Sequence, residues 1–156
     1  MKKIEFSISK WLNTKEEEFN FSASTVKLLH FFQMKCRGCV EYGIPEAKEM
    51  SEIFQGEDFE VIGIHSVFEN HEEMTESHLR KFLQEENVTF PIGIDLHKEN
   101  QWMPETMKSL NLQGTPTTIL LDKKGQIRMQ AFGPVGSERL KRSIEALLAE
   151  PLTPNH

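Results

Sequence analysis

The sequence predicts an α/β fold with a mixed central β-sheet flanked by helices on both faces. Three observations predict it. Apolar, strand-like runs alternate with helix-period stretches through the first two-thirds of the chain, a pattern of parallel strands joined by crossover helices. Two further strand-like runs then flank Lys123-Lys124-Gly125 and read as a hairpin, which adds antiparallel strands. A last helix-period stretch closes the chain. With 156 residues, a single domain over 1–150 and a disordered tail over 151–156 are expected.

Taken in order, Ile4, Phe6 and Ile8 alternate with polar residues and read as an opening strand. Residues 13–24 (NTKEEEFNFSAS) are polar and charged and read as a loop or short hairpin. Residues 26–33 (VKLLHFFQ) are mostly apolar, as suits a buried strand. Over 38–54, Val40, Ile44, Ala47, Met50, Ile53 and Phe54 recur close to the helical period. Pro45 lies inside that stretch and predicts a kink, because it lacks an N–H and clashes with the preceding turn. Residues 59–67 read as a second buried strand, and 74–86 as an amphipathic helix carrying Leu79, Phe82 and Leu83. A short strand over 90–94 and a short helix over 104–110 follow, the helix with proline in its first turn. The hairpin strands are 117–122 and 126–132, with Gly125 supplying a positive φ. The last helix covers 137–149, with Ser137 as its N-cap and Leu140, Ile144, Leu147 and Leu148 as its buried stripe.

Composition narrows the function. Apolar residues at 38% and charged residues at 27% describe neither a disordered chain nor a membrane protein. Eighteen basic against 24 acidic residues give a net charge of -6, with no dense Lys/Arg run, which is unsuited to nucleic acid. No run of about 18 apolar residues predicts a membrane span. The opening MKKIEFSISKWLN has neither an apolar core nor a small-residue cleavage site, so a cytoplasmic location is expected, with no membrane partner.

The chemistry points to the two cysteines, Cys36 and Cys39. A chain of this length needs no staple, and so short a loop gains little from cross-linking. Reversible redox chemistry is the first reading. Free cysteine ionises near about 8.5, and the unpaired N–H groups and dipole at a helix N-terminus favour the thiolate. Cys36 falls at that terminus, flanked by Lys35 and Arg37. Cys39 lies one turn further in, placed to resolve a mixed disulfide at high effective concentration. Zinc is a second reading, needing two more ligands from His30, His65, His71, His78, His97 and His156. Inert thiols are a third. No metal and no cofactor beyond the cysteine pair is expected.

Gly114-Thr115-Pro116-Thr117 precedes the hairpin. A strand, C-x-x-C, a helix and a distant Gly-x-Pro-Thr resemble the thioredoxin superfamily, and more narrowly the TlpA/ResA-like thiol-disulfide oxidoreductases. Trp11-Leu12-Asn13, the helix–strand–helix insertion over 74–110 and the LLDKKG hairpin over 120–125 share that likeness. The resemblance implies a thioredoxin fold, with Cys36 attacking and Cys39 resolving. It implies a cis Pro116 facing them, with Thr115 offering its backbone to a substrate strand. Lys35, Arg37 and Gly133 would border the same cleft, although Gly133-Pro134 also reads as a plain turn. The chain departs from that family at Lys35, where Trp is usual, and at Gly38, where Pro is usual. Pro45 follows Cys39 by six residues rather than five. Peroxiredoxins share the fold, but their threonine three positions before the reactive cysteine is Gln33 here.

His30 occupies the strand position, six residues before Cys36, where thioredoxin carries a buried aspartate. It reads either as a proton shuttle for the resolving thiol or as a packing residue. His65, at the end of the second buried strand, reads as a residue near the cysteines or a satisfied core histidine. The expected activity is thiol-disulfide exchange, reducing a disulfide-containing protein or a small thiol compound, with an unidentified electron donor. A thioredoxin-fold binding module with poor turnover and a peroxiredoxin-like peroxidase are the alternatives.

Overall fold

The computed structural model describes residues 4–14 and 24–152. Six strands form one sheet: β1 (Ile8–Leu12), β2 (Val26–Phe32), β3 (Phe59–His65), β4 (Ile92–Asp95), β5 (Thr117–Leu121) and β6 (Ile127–Phe132). Their spatial order is β1-β4-β3-β2-β5-β6. β2, β3 and β4 run parallel, while β1 on β4, β5 on β2 and β6 on β5 are antiparallel. Four helices, α1 (Ile44–Ile53), α2 (Glu76–Glu85), α3 (Glu105–Ser109) and α4 (Ser137–Ala149), complete the mixed α/β architecture. The expected insertion is α2-β4-α3, and β4 adds a parallel strand to the sheet.

β2 positions the chemistry. All seven of its residues are buried, so alternation divides its side chains between two apolar layers. Leu28 and Phe32 join the layer that holds Cys39, Met50 of α1, Leu79 of α2 and Ile144 of α4. Leu29 and Phe31 face the opposite layer, with Ile62, Met107 of α3 and Ile119. His30 therefore falls between Leu28 and Phe32, on the Cys39 side.

Three expectations are corrected. The opening strand starts at Ile8, not Ile4, because β4 offers pairing only to Ile8–Leu12; Ile4 and Phe6 instead pack against the second layer. Ser137 is not the N-cap of α4. Gly136 holds that position, Ser137 Oγ donates to Glu49 Oε2 at 2.7 Å, and Glu46 Oε1 accepts from the Val135 and Gly136 amides at 3.2 and 3.1 Å. Acceptors from α1 thus replace a local cap.

The third correction concerns the disturbance expected at Pro45, which takes the form of a π turn rather than a kink. Cys39–Gly43 is a wide π-helical turn, closed by the Ile44 amide donating to the Cys39 carbonyl. Pro45 then sits in the first turn of α1, where its missing N–H is no loss. Within the loop expected over 13–24, residues 15–23 lie outside the described residues, as do 153–156 of the tail.

Candidate active site

β2 ends at Phe32, and a tight turn follows in which the Cys36 amide donates to the Gln33 carbonyl at 3.1 Å. This turn delivers Cys36 to the start of the helical segment. Cys36 is half-buried and Cys39 is fully buried. The two are joined as a disulfide with Cα atoms 5.2 Å apart. The Cys39 amide donates to Cys36 Sγ at 3.3 Å.

The predicted partner loop comes against the pair. The Thr115–Pro116 bond is cis. Thr115 places its carbonyl oxygen 3.5 Å from Cys36 Sγ. Pro116 packs over Gly38, where a Cβ would stand 3.3 Å from Pro116 Cδ. Gly133 borders the loop, but its amide already donates to the Pro116 carbonyl at 2.8 Å. Lys35 is exposed beside Cys36. Arg37 is also exposed, and its Nε pairs with Glu41 Oε1 at 2.8 Å, one turn along the helix. Such exposed pairs contribute little to stability, and the pairing screens the Arg37 charge.

One positioning residue, Gln33, escaped the sequence reading, and His65 takes the place near the cysteines that was one of its two readings. Gln33 is buried; its Oε1 accepts from the Phe68 amide at 3.2 Å and its Nε2 donates to Thr115 Oγ1 at 3.4 Å. It ties the segment after β3 to the Thr115 loop, while its backbone carbonyl holds the Cys36 amide. The available signal was a polar residue closing an otherwise apolar strand run. His65 sits beside the same turn. Its Nε2 accepts from the Met34 amide at 3.3 Å, which places the ring proton on Nδ1. Burial lowers its pKa to about 4, so the ring is neutral and able to accept.

His30 pairs with Gly63 of β3 and Thr118 of β5 and is 1% exposed. Its ring stacks on Phe32 at 5.6 Å and lies against Gly43. Neither ring nitrogen has a hydrogen-bond partner among the described residues. Burial lowers its pKa to about 4. The zinc reading finds no assembled ligand set: among the described residues no three His, Cys, Asp or Glu side chains gather as a metal site. His71 and His97 meet with ring centroids 4.4 Å apart in a cavity that neither cysteine lines.

Two large aromatic side chains are exposed on segments tied to the site. Trp102 is 70% exposed and Phe132 60%. Trp102 packs edge-on against Phe68, whose amide Gln33 holds, and Phe132 lies against Gly114.

A strand–turn–helix dithiol pair opposite a cis-proline loop defines a thioredoxin-fold thiol-disulfide oxidoreductase, which works by dithiol–disulfide exchange. The chain belongs to the AhpC/TSA family, which matches residues 4–130. It is similar to the thioredoxin-like protein SkfH of Bacillus subtilis, with 27% identity over 88% of this chain and 89% of that protein. It is also similar to the thiol-disulfide oxidoreductase ResA of Geobacillus kaustophilus, with 28% identity over 76% of this chain and 61% of ResA. Among solved structures, a thiol-disulfide isomerase from Corynebacterium glutamicum superposes with a TM-score of 0.89 at 36% identity, covering 96% of this chain and 97% of the other.

Proposed function

We propose that the protein reduces disulfides in protein partners, with Cys36 as the attacking thiol and Cys39 as the resolving thiol. The observation that carries this reading is the asymmetry of the pair: Cys36 is half-exposed beside the Thr115 carbonyl, and Cys39 is buried behind it. In the cycle, the Cys36 thiolate attacks one sulfur of the partner, a mixed disulfide forms and the first partner thiol leaves. Cys39, deprotonated, attacks Cys36 Sγ; the second partner thiol leaves and the Cys36–Cys39 disulfide closes. A separate dithiol donor returns two electrons and two protons. Lys35 and the backbone of Thr115 and Pro116 border the entering strand, with Arg37 and Gly133 at its margins. A cytoplasmic setting, where thiols are kept reduced, would suit that direction.

Exposed Trp102, packed on Phe68, and exposed Phe132, packed on Gly114 beside Thr115, favour a protein partner over a small disulfide, because large exposed aromatics offer apolar contact area. Turnover of a protein disulfide and of a small aromatic disulfide, each with dithiothreitol as donor, tests the reading. Trp102→Ala should raise KM for the protein several-fold and leave the small substrate unchanged; equal effects on both would remove the protein-contact role. A midpoint potential nearer about -270 mV than about -120 mV identifies a reductant.

His30 is proposed as the acceptor of the Cys39 proton. The ring is neutral at physiological pH, and the negative charge of the Cys39 thiolate forming on the same side of the sheet would favour its protonated form. His30→Ala and His30→Asn should slow release of the mixed disulfide and alter its profile between about pH 5.5 and 8.5, with Cys36 alkylation retained. Unchanged release in a folded variant would make His30 a packing residue.

A further inference from the structure

We infer that Gly43 is a positioning residue for His30: the wide Cys39–Gly43 turn and the missing side chain at its end form the slot that holds the imidazole on the Cys39 side of the sheet. Its functional meaning rests on the exchange reading above; its geometry does not.

Cys39 and Gly43 are the two buried residues of the π turn. They lie four apart and share its inward face. On the sheet below, alternation along β2 directs His30 toward the layer that contains Cys39. A Cβ built on Gly43 would overlap His30 Cε1 and stand 2.8 Å from Nε2 and 3.3 Å from Nδ1. No real carbon tolerates that approach, so any larger residue must displace the ring or the turn.

The ring has little room to yield. β2 is a central strand, with His30 paired on one side to Gly63 and on the other to Thr118. Phe32 stacks against the imidazole with an interplanar angle of 4°. A close-packed interior transmits such a displacement rather than absorbing it.

The length of the helical segment supplies the second half of the slot. The π turn closes five residues on, from the Ile44 amide to the Cys39 carbonyl, and thereby takes up one residue more than an α-turn would. That residue accounts for the six-residue spacing from Cys39 to Pro45. π turns are used at functional sites to re-aim side chains, and here the widening coincides with the one position where a side chain is absent. Both imidazole nitrogens remain without a partner among the described residues, although the side chain is buried. Leaving a buried polar group unpaired is costly, so retaining it calls for a use. The Cys39 thiol of the reduced protein is the ionisable group that the same turn presents on this face.

A double-mutant cycle tests the slot. Gly43→Ala, His30→Ala and the double variant are compared in Tm, in release of a preformed mixed disulfide at neutral pH and in Cys36 alkylation. Gly43→Ala alone should lower Tm and slow release about tenfold or more, with alkylation changed less than about twofold. In the His30→Ala background, Gly43→Ala should change neither Tm nor release appreciably, because the ring it would strike is gone. If Gly43→Ala alone fails to fold, the double variant should fold again. Additive losses, or a double variant that stays unfolded, would show that the glycine serves the backbone of the turn and would overturn the inference. If the Cys39→Ser variant captures no partner at all, the exchange reading falls, while the Tm cycle still decides the slot.

Discussion

Replacing Cys36 with serine should bring disulfide reduction down to the uncatalysed rate, whereas replacing Cys39 with serine should leave a protein that captures its partner. The difference follows from where each sulfur stands. Cys36 is half-exposed at the end of the β2 turn, next to the Thr115 carbonyl, and a partner disulfide can reach it. Cys39 is wholly buried in the apolar layer beneath α1 and can reach Cys36 but not an external sulfur. Without Cys36, no covalent step begins. Without Cys39, the first step proceeds and the intramolecular attack that would release the partner is lost. Intact-mass spectrometry checks both. Wild type after mild oxidation should lose two hydrogens and regain them with dithiothreitol, and Cys39→Ser should carry one partner per chain. Capture by Cys36→Ser instead would exchange the two roles.

Stability should fall steeply as the pH drops from about 6.5 toward 4. His30 and His65 are both lowered from 6.5 to about 4, in each case by burial. Between those values the unfolded chain binds a proton at each histidine and the native chain does not, so stability rises with pH across the window. Above about 6.5 both states are neutral and the effect is absent. Below about 4 the loss is complete. Each ring accounts for up to about 3 kcal/mol, and the two together for up to about 6 kcal/mol, a large share of a typical domain's margin. Asp95 acts in the opposite direction, because burial raises its pKa despite the Thr106, Met107 and Ser66 hydrogen bonds, and it offsets part of the loss at the acid end. Urea midpoints at pH 7.5 and 4.5 measure the slope. His30→Asn should remove about half of it even if the variant is less stable throughout. A slope unchanged in that variant would mean the ring titrates normally in the fold.

The parts of the site that were legible in the sequence are those written in local patterns. An apolar run, two cysteines three apart and a helix-period stretch specify strand, turn and helix without reference to the rest of the chain, and the disulfide falls at that junction. Gly125 in the hairpin turn was equally local, with φ at 83°. The Gly114–Thr117 segment was legible only through resemblance, since nothing in its composition brings it near the cysteines.

What the sequence could not decide is which group each buried polar atom would meet. Gln33 reaches partners 35 and 82 residues away, and His65 accepts from an amide 31 residues before it. Those meetings depend on the parallel register of β2 on β3, which sets Phe32 opposite His65 and so places the imidazole beside the turn before Cys36. The π turn was equally hidden, because apolar spacing averaged over a helix does not register one extra residue absorbed in a single turn. Periodicity records which side of an element faces the core. The close approach of Gly43 to His30 is a fit between two such sides, and it exists only once the turn is packed on the sheet.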